Sequence, residues 1–389
     1  MKKTVWLASW FPNENDPLVG DFIKRHAEAV SLLQPVHVIH VEKRKSASET
    51  IETTDPVFSS LTCVIKYYSV WYLAGIERLY SYLYSLWLYH SLIKTFIKKN
   101  GKPAFLHIHV SLRCGWVALY YKLVHKIPYI ITEHNAGFMP AAKLYNKEVV
   151  NYFNYLPLKF IFKNAFTVTT VSEALADALQ QTFDLKKPEV VYNVVNTSIF
   201  FPPIQPYENR KPVFLHISTL TPQKNPEQML AAFSILRQQY KTDFVLHIVG
   251  PQKPHLLRLC DELNINDCIQ WHEETNQQNL AAFMHQADAL VLYSRFESFG
   301  CVNIEAMASG LPVIASGLDV FKEYLEDGVT ARFAKPENPA DLARVIHLFI
   351  NTPRLSAKSI ADHANTFNYK TIGEKFMQVY QRINQANDL

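Results

Sequence analysis

Short runs rich in Val, Ile, Phe and Tyr alternate with segments of helical period along almost the whole chain, which argues for parallel sheets with crossover helices. The first series places strands at Val5–Ser9, Val36–Val41, Thr62–Tyr68, Phe105–Val110, Tyr129–Thr132, Thr167–Thr170 and Val190–Tyr192. The pattern then restarts. Its second series has strands at Val213–Ile217, Phe244–Val249, Ile269–Trp271, Ala289–Tyr293 and Val313–Ala315, with helices near 226–240, 276–287, 300–310 and 339–350. Between the two series, Phe201 to Pro212 carries four prolines and no periodicity, the mark of a linker. The expectation is an α/β protein of two doubly wound, Rossmann-like domains facing each other across a cleft, divided at 204/205. In open α/β sheets ligands bind outside the carboxyl ends of the strands, so the cleft is where the ligand is expected.

Composition excludes several other classes. Apolar residues make up 48% of the 389 residues and charged residues 19%, far from the composition of disorder. The net charge of +4 is too small to mark a nucleic-acid binder by itself. Cys63, Cys114, Cys260, Cys268 and Cys301 are odd in number and never in CxxC spacing, so a reducing, cytoplasmic setting is expected rather than a disulfide framework or zinc knuckle. The apolar run from Thr4 to Trp10 behind Lys2 and Lys3 imitates a signal peptide, but it is short and broken at Pro12, so it reads as a first strand and loop.

The most apolar uncharged stretch, Leu79 to Ile93, is shorter than the roughly 20 residues that span a bilayer. It can still lie on one. Leu79, Leu83, Leu86, His90, Ile93 and Ile97 recur at helical spacing, Trp71, Tyr72, Tyr80, Tyr84, Trp87 and Tyr89 supply aromatic rings, and Lys94, Lys98, Lys99 and Lys102 follow. Two readings stand: a peripheral contact with the inner face of the cell membrane, or a helix packed on a sheet.

The chemistry concentrates after the strand Ala289–Tyr293. A turn containing Gly300 opens a helix, Gly310 stops it, and a new strand begins at Pro312. The free N–H groups and positive dipole end of that helix suit a phosphate or sugar hydroxyls. Glu297 precedes the helix and Glu305 lies about two turns inside it, so their carboxylates can address opposite ends of one elongated ligand. Taken alone, such glutamates are equally readable as solvated or capping residues.

This stretch, from Glu297 through Phe299-Gly300 to Glu305-Ala306-Met307 and Gly310-Leu311-Pro312, resembles retaining glycosyltransferase family 4. The resemblance extends to Val213–Asn225 with Lys224, to Thr170-Val171-Ser172 and Val191–Thr197, and to a terminal helix at 365–389; it is weakest at 42–103. It implies the GT-B architecture, with 1–204 binding the acceptor, 205–364 binding the donor, and the 365–389 helix crossing back onto the first domain. It also implies that Lys224 holds a diphosphate, Glu305 the ribose hydroxyls and Glu297 the transferred sugar. Ser298 and the backbone of Phe299, Gly300 and Cys301 line the sugar. In the first domain, Asp16–Phe22 is similar to the family's glycine loop, centred on Gly20, and His134 at the end of Tyr129–Thr132 matches a histidine beside the reacting sugar. A simple turn and a structural histidine are the competing readings.

The match has departures. Thr219 stands where the family often has an Arg, with Arg295 and Arg113 as the available replacements; losing a cation beside a leaving diphosphate costs rate. Asn196 and Val194 replace a frequent Asp and Gly. The sequence reading is therefore an enzyme, a metal-independent retaining transferase. It moves sugar from a nucleotide diphosphate sugar to a sugar or lipid-linked acceptor in surface polysaccharide or glycolipid synthesis, with His134, Glu297 and Lys224 as catalytic groups and no separate cofactor. Three alternatives remain: a nucleotide-sugar epimerase of the same fold, a non-catalytic nucleotide-sugar-binding module, and a metallohydrolase. The last would use His107 and His109, which share a strand face, with His134 as a third ligand.

Overall fold

The computed structural model describes residues 4–44, 48–70, 76–145, 147–204 and 211–387. Two compact units emerge, the first from the described parts of Met1–Phe138, Val149–Val194 and Tyr369–Leu389, the second from those of Met139–Glu148 and Val195–Asn368. The division thus falls at 194/195 rather than at 204/205, and 139–148 joins the second unit. Of the proline-rich stretch, 205–210 lies outside the described residues, as do Trp71 and Tyr72.

Unit one is built on β1 (Thr4–Ala8), β2 (Val36–Lys43), β3 (Glu49–Thr54), β4 (Leu61–Tyr68), β5 (Leu106–His109), β6 (Tyr129–Glu133), β7 (Val168–Thr170) and β8 (Glu189–Val190), in sheet order β3-β4-β2-β1-β5-β6-β7-β8. All neighbours are parallel except β3, which pairs antiparallel with β4. β3 has the sequence ETIETT, whose polar residues carry no apolar alternation to signal a strand. It forms the exposed edge, where charge blocks further pairing. The terminal helix Tyr369–Asn387 packs on the helix Asp21–Ser31. Gly373 permits the close approach, since a Cβ there would lie 2.6 Å from the Ala29 carbonyl oxygen. Its Phe376 and Tyr380 enter the core with Trp6, Ile23 and Phe105.

Unit two carries β9 (Val213–Ile217), β10 (Val245–Val249), β11 (Ile269–His272), β12 (Ala289–Leu292), β13 (Val313–Ser316) and β14 (Ala331–Ala334), in order β11-β10-β9-β12-β13-β14 and parallel throughout. Its core gathers Phe214, Phe233, Phe244, Ile248 and Val291 under the crossover helices. β14 is a four-residue strand that the sequence pattern did not reveal. Each sheet reverses its winding next to its first strand, between β1 and β5 in unit one and between β9 and β12 in unit two, which opens a crevice at the carboxyl ends of those strands.

The helix Glu77–Asn100 buries Ser81, Ser85, Leu88, Tyr89, Ile93 and Phe96. The stripe read from spacing is therefore divided: Ile93 faces inward, whereas Leu79 and Leu83 are exposed. Among the described residues no helix is long and apolar enough to cross a membrane.

Candidate functional site

In unit two, the loops that leave β9 and β12 diverge at the switch point and are laced together. The first passes through Leu220 in a left-handed conformation, a short 3-10 turn at Pro222–Lys224, and Asn225, also left-handed. The Arg295 amide donates to the Gln223 carbonyl (2.8 Å), the Arg295 guanidinium to the Pro222 carbonyl (2.5 Å), and Gln223 Nε2 to the Phe296 carbonyl (3.0 Å). These bonds bring Lys224 and Glu297, 73 residues apart in sequence, into an ion pair between Lys224 Nζ and Glu297 Oε1. Glu297 is only 4% exposed and also accepts from Ser294 Oγ (2.8 Å) and Gln223 Nε2 (3.2 Å), so its buried charge is fully partnered. Beneath them, His216 is fixed between the Val291 carbonyl and Ser218 Oγ. Burial, reinforced by the charge of Lys224, pushes its pKa down to about 4.

Gly300 ends the β12 loop at φ 91°, where a Cβ would lie 2.9 Å from the Phe321 ring. The helix Cys301–Ala308 that follows has no side chain capping its N-terminus, which leaves that end suited to an anion. Tyr324 steadies the turn by donating to the Phe299 carbonyl (2.6 Å) and accepting from Asn303 Nδ2 (3.0 Å). Glu305 is buried on the second turn of the helix, Ser298 is half-buried in the loop, and Thr219 is exposed.

Neither proposed substitute for the family cation is disengaged. Arg295 binds Glu337 (3.0 Å) as well as Pro222, and its guanidinium lies 5.1 Å from the centroid of Tyr145. Its observed part is to brace the Lys224 loop. Arg113 belongs to unit one and donates to the Val41 carbonyl (3.2 Å). Tyr145, which also stacks on Phe296 and bonds Glu337, has no local signature in the sequence because it lies 68 residues before this unit's first strand, which begins at Val213.

Unit one assembles a second cluster at the ends of β1, β5 and β6. Gly20 caps the helix Asp21–Ser31 at φ 67°, and a Cβ there would lie 2.6 Å from the Trp10 carbonyl carbon. Its immediate role is thus a close backbone packing within the loop, which Asn13 and Asp16 fold through bonds to the amides of Asn15, Asp16, Leu18 and Val19. His134 follows β6, and its Nε2 lies 3.1 Å from His109 Nδ1. His26, from the helix, accompanies them with its ring centroid 5.5 Å from that of His134, and Phe22 packs on the same His134 ring at 4.9 Å.

Glu133 organises this corner, and nothing in the sequence marked it. It accepts from the amides of His134 (2.9 Å), Asn135 (3.0 Å) and Ser111 (3.0 Å) and from the Ser111 hydroxyl (2.6 Å). Val110, between His109 and Ser111, sits at φ 66°, a conformation costly for a β-branched residue. Bonds from the Val110 amide to the Thr132 carbonyl (3.1 Å) and from Ser9 Oγ to the Val110 carbonyl (2.9 Å) hold it there.

The histidine triplet expected for a metallohydrolase does not form. His107 uses one nitrogen on the Tyr380 hydroxyl (2.6 Å) and the other on Thr132 Oγ1 (2.7 Å). The nitrogens that do come within 4.8 Å of one another are those of His26, His109 and His134, a set without a carboxylate. Burial holds all of these imidazoles below their ordinary pKa, His26 at about 4 and His107, His109 and His134 well below 6.5. They are therefore neutral at physiological pH.

Comparison with known proteins gives consistent findings. Residues 34–199 match the family model described as Glycosyltransferase Family 4, and residues 200–365 match that of Glycosyl transferases group 1. A D-inositol 3-phosphate glycosyltransferase of Streptomyces avermitilis is 32% identical over 186 residues, 44% of this chain and 40% of that protein's own length. The chain thus matches well under half of this relative. Among solved structures, sucrose-phosphate synthase from Thermosynechococcus elongatus superimposes with a TM-score of 0.81 at 19% identity, covering 99% of this chain and 100% of that one. HepE of Anabaena, solved with UDP and glucose, gives 0.72 at 15% identity, covering 98% and 100%. These likenesses establish the GT-B fold of two Rossmann-like domains.

Proposed function

Because the chain belongs to the family 4 glycosyltransferases, we propose that it transfers a glycosyl group from a nucleoside diphosphate sugar to an acceptor hydroxyl, with retention at the anomeric carbon. The observation that carries this reading is the convergence of a lysine, a buried glutamate and an uncapped helix N-terminus at the switch point of unit two. Lys224 and the amides around Gly300 and Cys301 meet the diphosphate. As the anomeric C–O bond breaks, negative charge accumulates on the leaving oxygen, where a fixed cation and N–H groups are most effective. The acceptor oxygen bonds to the same face of the anomeric carbon, and its proton passes to the departing diphosphate. Glu297 binds the hydroxyls of the transferred sugar, Ser298 and the Phe299 backbone line the sugar, and Glu305 holds the ribose. Neutral His134, next to the Gly20 loop, hydrogen-bonds the reacting sugar. The structure of HepE with UDP and glucose supports a nucleoside diphosphate sugar as donor. The acceptor is a sugar or lipid-linked sugar of a surface polysaccharide or glycolipid, and cysteines that form no disulfide among the described residues suit work in the cytoplasm.

Calorimetry with UDP, GDP, ADP and dTDP tests the donor assignment. Glu305→Ala should weaken binding of the preferred diphosphate by about 1.5–3 kcal/mol, the worth of a charge-assisted hydrogen bond. Glu297→Ala should leave binding nearly intact and lower turnover. Equal losses in both variants would sink the two roles.

The transfer as drawn needs no divalent ion, because Lys224 and the helix amides neutralise the diphosphate. Protein treated with EDTA should retain full transfer activity, and elemental analysis should find no stoichiometric zinc. Activity that returned only with a divalent ion would instead assign the His26, His109 and His134 set to metal binding.

A further inference from the structure

Three helices of unit one, Glu77–Asn100, Ser111–His125 and Tyr155–Asn164, lie side by side in that order. Their contacts are specific. Tyr121 Oη bonds His90 between the first and second (3.1 Å), and Gly115 lets the third approach so closely that a Cβ would lie 2.8 Å from Ile161. Each helix buries one side in the unit, and the opposite side of each is apolar and exposed. The first shows Leu83 and Trp87, with the rings of Tyr80, Tyr84 and Trp87 stacked in a row. The second shows Tyr120 and Leu123, and the third Leu156 and Phe160. The turn that leads into the third helix ends in Tyr152 and Phe153, 91% and 86% exposed, the most exposed aromatic side chains of the protein's described residues. Single exposed apolar residues are ordinary; so many on three adjacent helices are not.

Charge decides what covers it. Across the three helices the sequence has Arg78, Lys94, Lys98, Lys99, Lys159 and Lys163, beside Arg113 and Lys122 that are engaged with the carbonyls of Val41 and Asn164, against one acid, Glu77, which pairs with Lys43. Lys99 and Lys163 have acidic neighbours outside the helices, Glu52 at 3.9 Å and Asp184 at 3.3 Å, both exposed pairs of little strength. A second copy of the same face would bring like charges together, because a twofold contact sets a patch against itself. An anionic lipid surface satisfies both features at once, with the rings at headgroup depth and the lysines against phosphate.

We propose that these three helices form a docking face that seats the protein on an anionic bilayer, with Tyr152, Phe153 and Trp87 as its inserting side chains. The proposal is independent of the donor chemistry, and it is read without any transfer assay.

Flotation of the full chain with vesicles of phosphatidylcholine alone, or of phosphatidylcholine mixed with phosphatidylglycerol, is the test. The protein should float with the anionic vesicles at low salt, and less so as salt rises. Tyr152→Ser with Phe153→Ser should cut partitioning roughly tenfold or more, since the two rings leave the interface. Lys94, Lys98 and Lys99 replaced together by Gln should weaken binding to anionic vesicles alone. Melting temperature is followed in parallel. Trp87 is half-packed, so should Trp87→Ser melt early, the Tyr152 and Phe153 pair, which makes few contacts, still gives the answer. A protein that stays in the soluble fraction with anionic vesicles at low salt overturns the proposal. So does a dimer in light scattering that the Tyr152 and Phe153 substitutions dissociate, because a second copy would then cover the face.

Discussion

Lys224→Ala should lower turnover by roughly 100- to 1000-fold, the usual loss when one positioned stabiliser of developing negative charge is removed. The effect is expected at the large end because Thr219 supplies no second cation and Arg295 is held by Pro222, Glu337 and Tyr145. Removing the lysine also strands the Glu297 carboxylate, which is buried and keeps only Ser294 and Gln223 as partners. Breaking one half of a buried pair destabilises by about 3–5 kcal/mol, so this variant alone would confound folding with catalysis. The double variant Lys224→Met with Glu297→Gln separates them. It removes both charges of the pair while preserving shape, so it should recover most of the lost melting temperature and none of the turnover. If the double variant regained activity together with stability, Lys224 would be a structural lysine and the diphosphate would be held elsewhere.

What the sequence disclosed follows from where the determining forces act. The parallel strands were legible because each is a short run of β-branched and aromatic residues bounded by turn signals, a local property. β3 was not, since ETIETT is shaped by its place at an exposed edge, nor was β14, whose sequence ARFA holds a charge and no β-branched residue. Glu297, Glu305, Gly300 and Lys224 stood out through a family resemblance, and the structure supplies the reason Lys224 and Glu297 are informative: the two loops converge on one ion pair. The bracing groups had no local signature. Arg295 reads as a surface cation until Tyr145 and Glu337 are placed beside it, and Glu133 reads as a strand-end acid until four donors turn toward it. His26 is the clearest case. On an amphipathic helix it is one polar residue among several, and only the tertiary fold sets it against His109 and His134 in place of His107.

That histidine cluster carries a second large effect, on stability. His26, His107, His109 and His134 are all buried in unit one with pKa values held down first by burial, His26 to about 4 and the others well below the ordinary value. In the unfolded chain each titrates near 6.5. As pH falls below about 6.5, the unfolded state takes up protons that the native state refuses until its own lower pKa values are reached. Stability that is fully present above that pH is therefore lost on acidification, by up to about 1.4 kcal/mol per pH unit for each histidine. Two buried carboxylates act in the opposite sense: burial raises Glu133 and Glu28, so the native state protonates them before the unfolded chain does. Two groups offset four only in part. The urea midpoint should be level between pH 8 and 7 and fall steeply from pH 6.5 to 5, a net loss of at least about 3 kcal/mol if the four sites act together. His107→Gln, which can keep a bond to Tyr380 or Thr132 without a titrating ring, should flatten the slope by one histidine's share. A midpoint that stayed level down to pH 5 would mean that the cluster accepts protons in the native state, which would require a compensating anion beside His109 and His134.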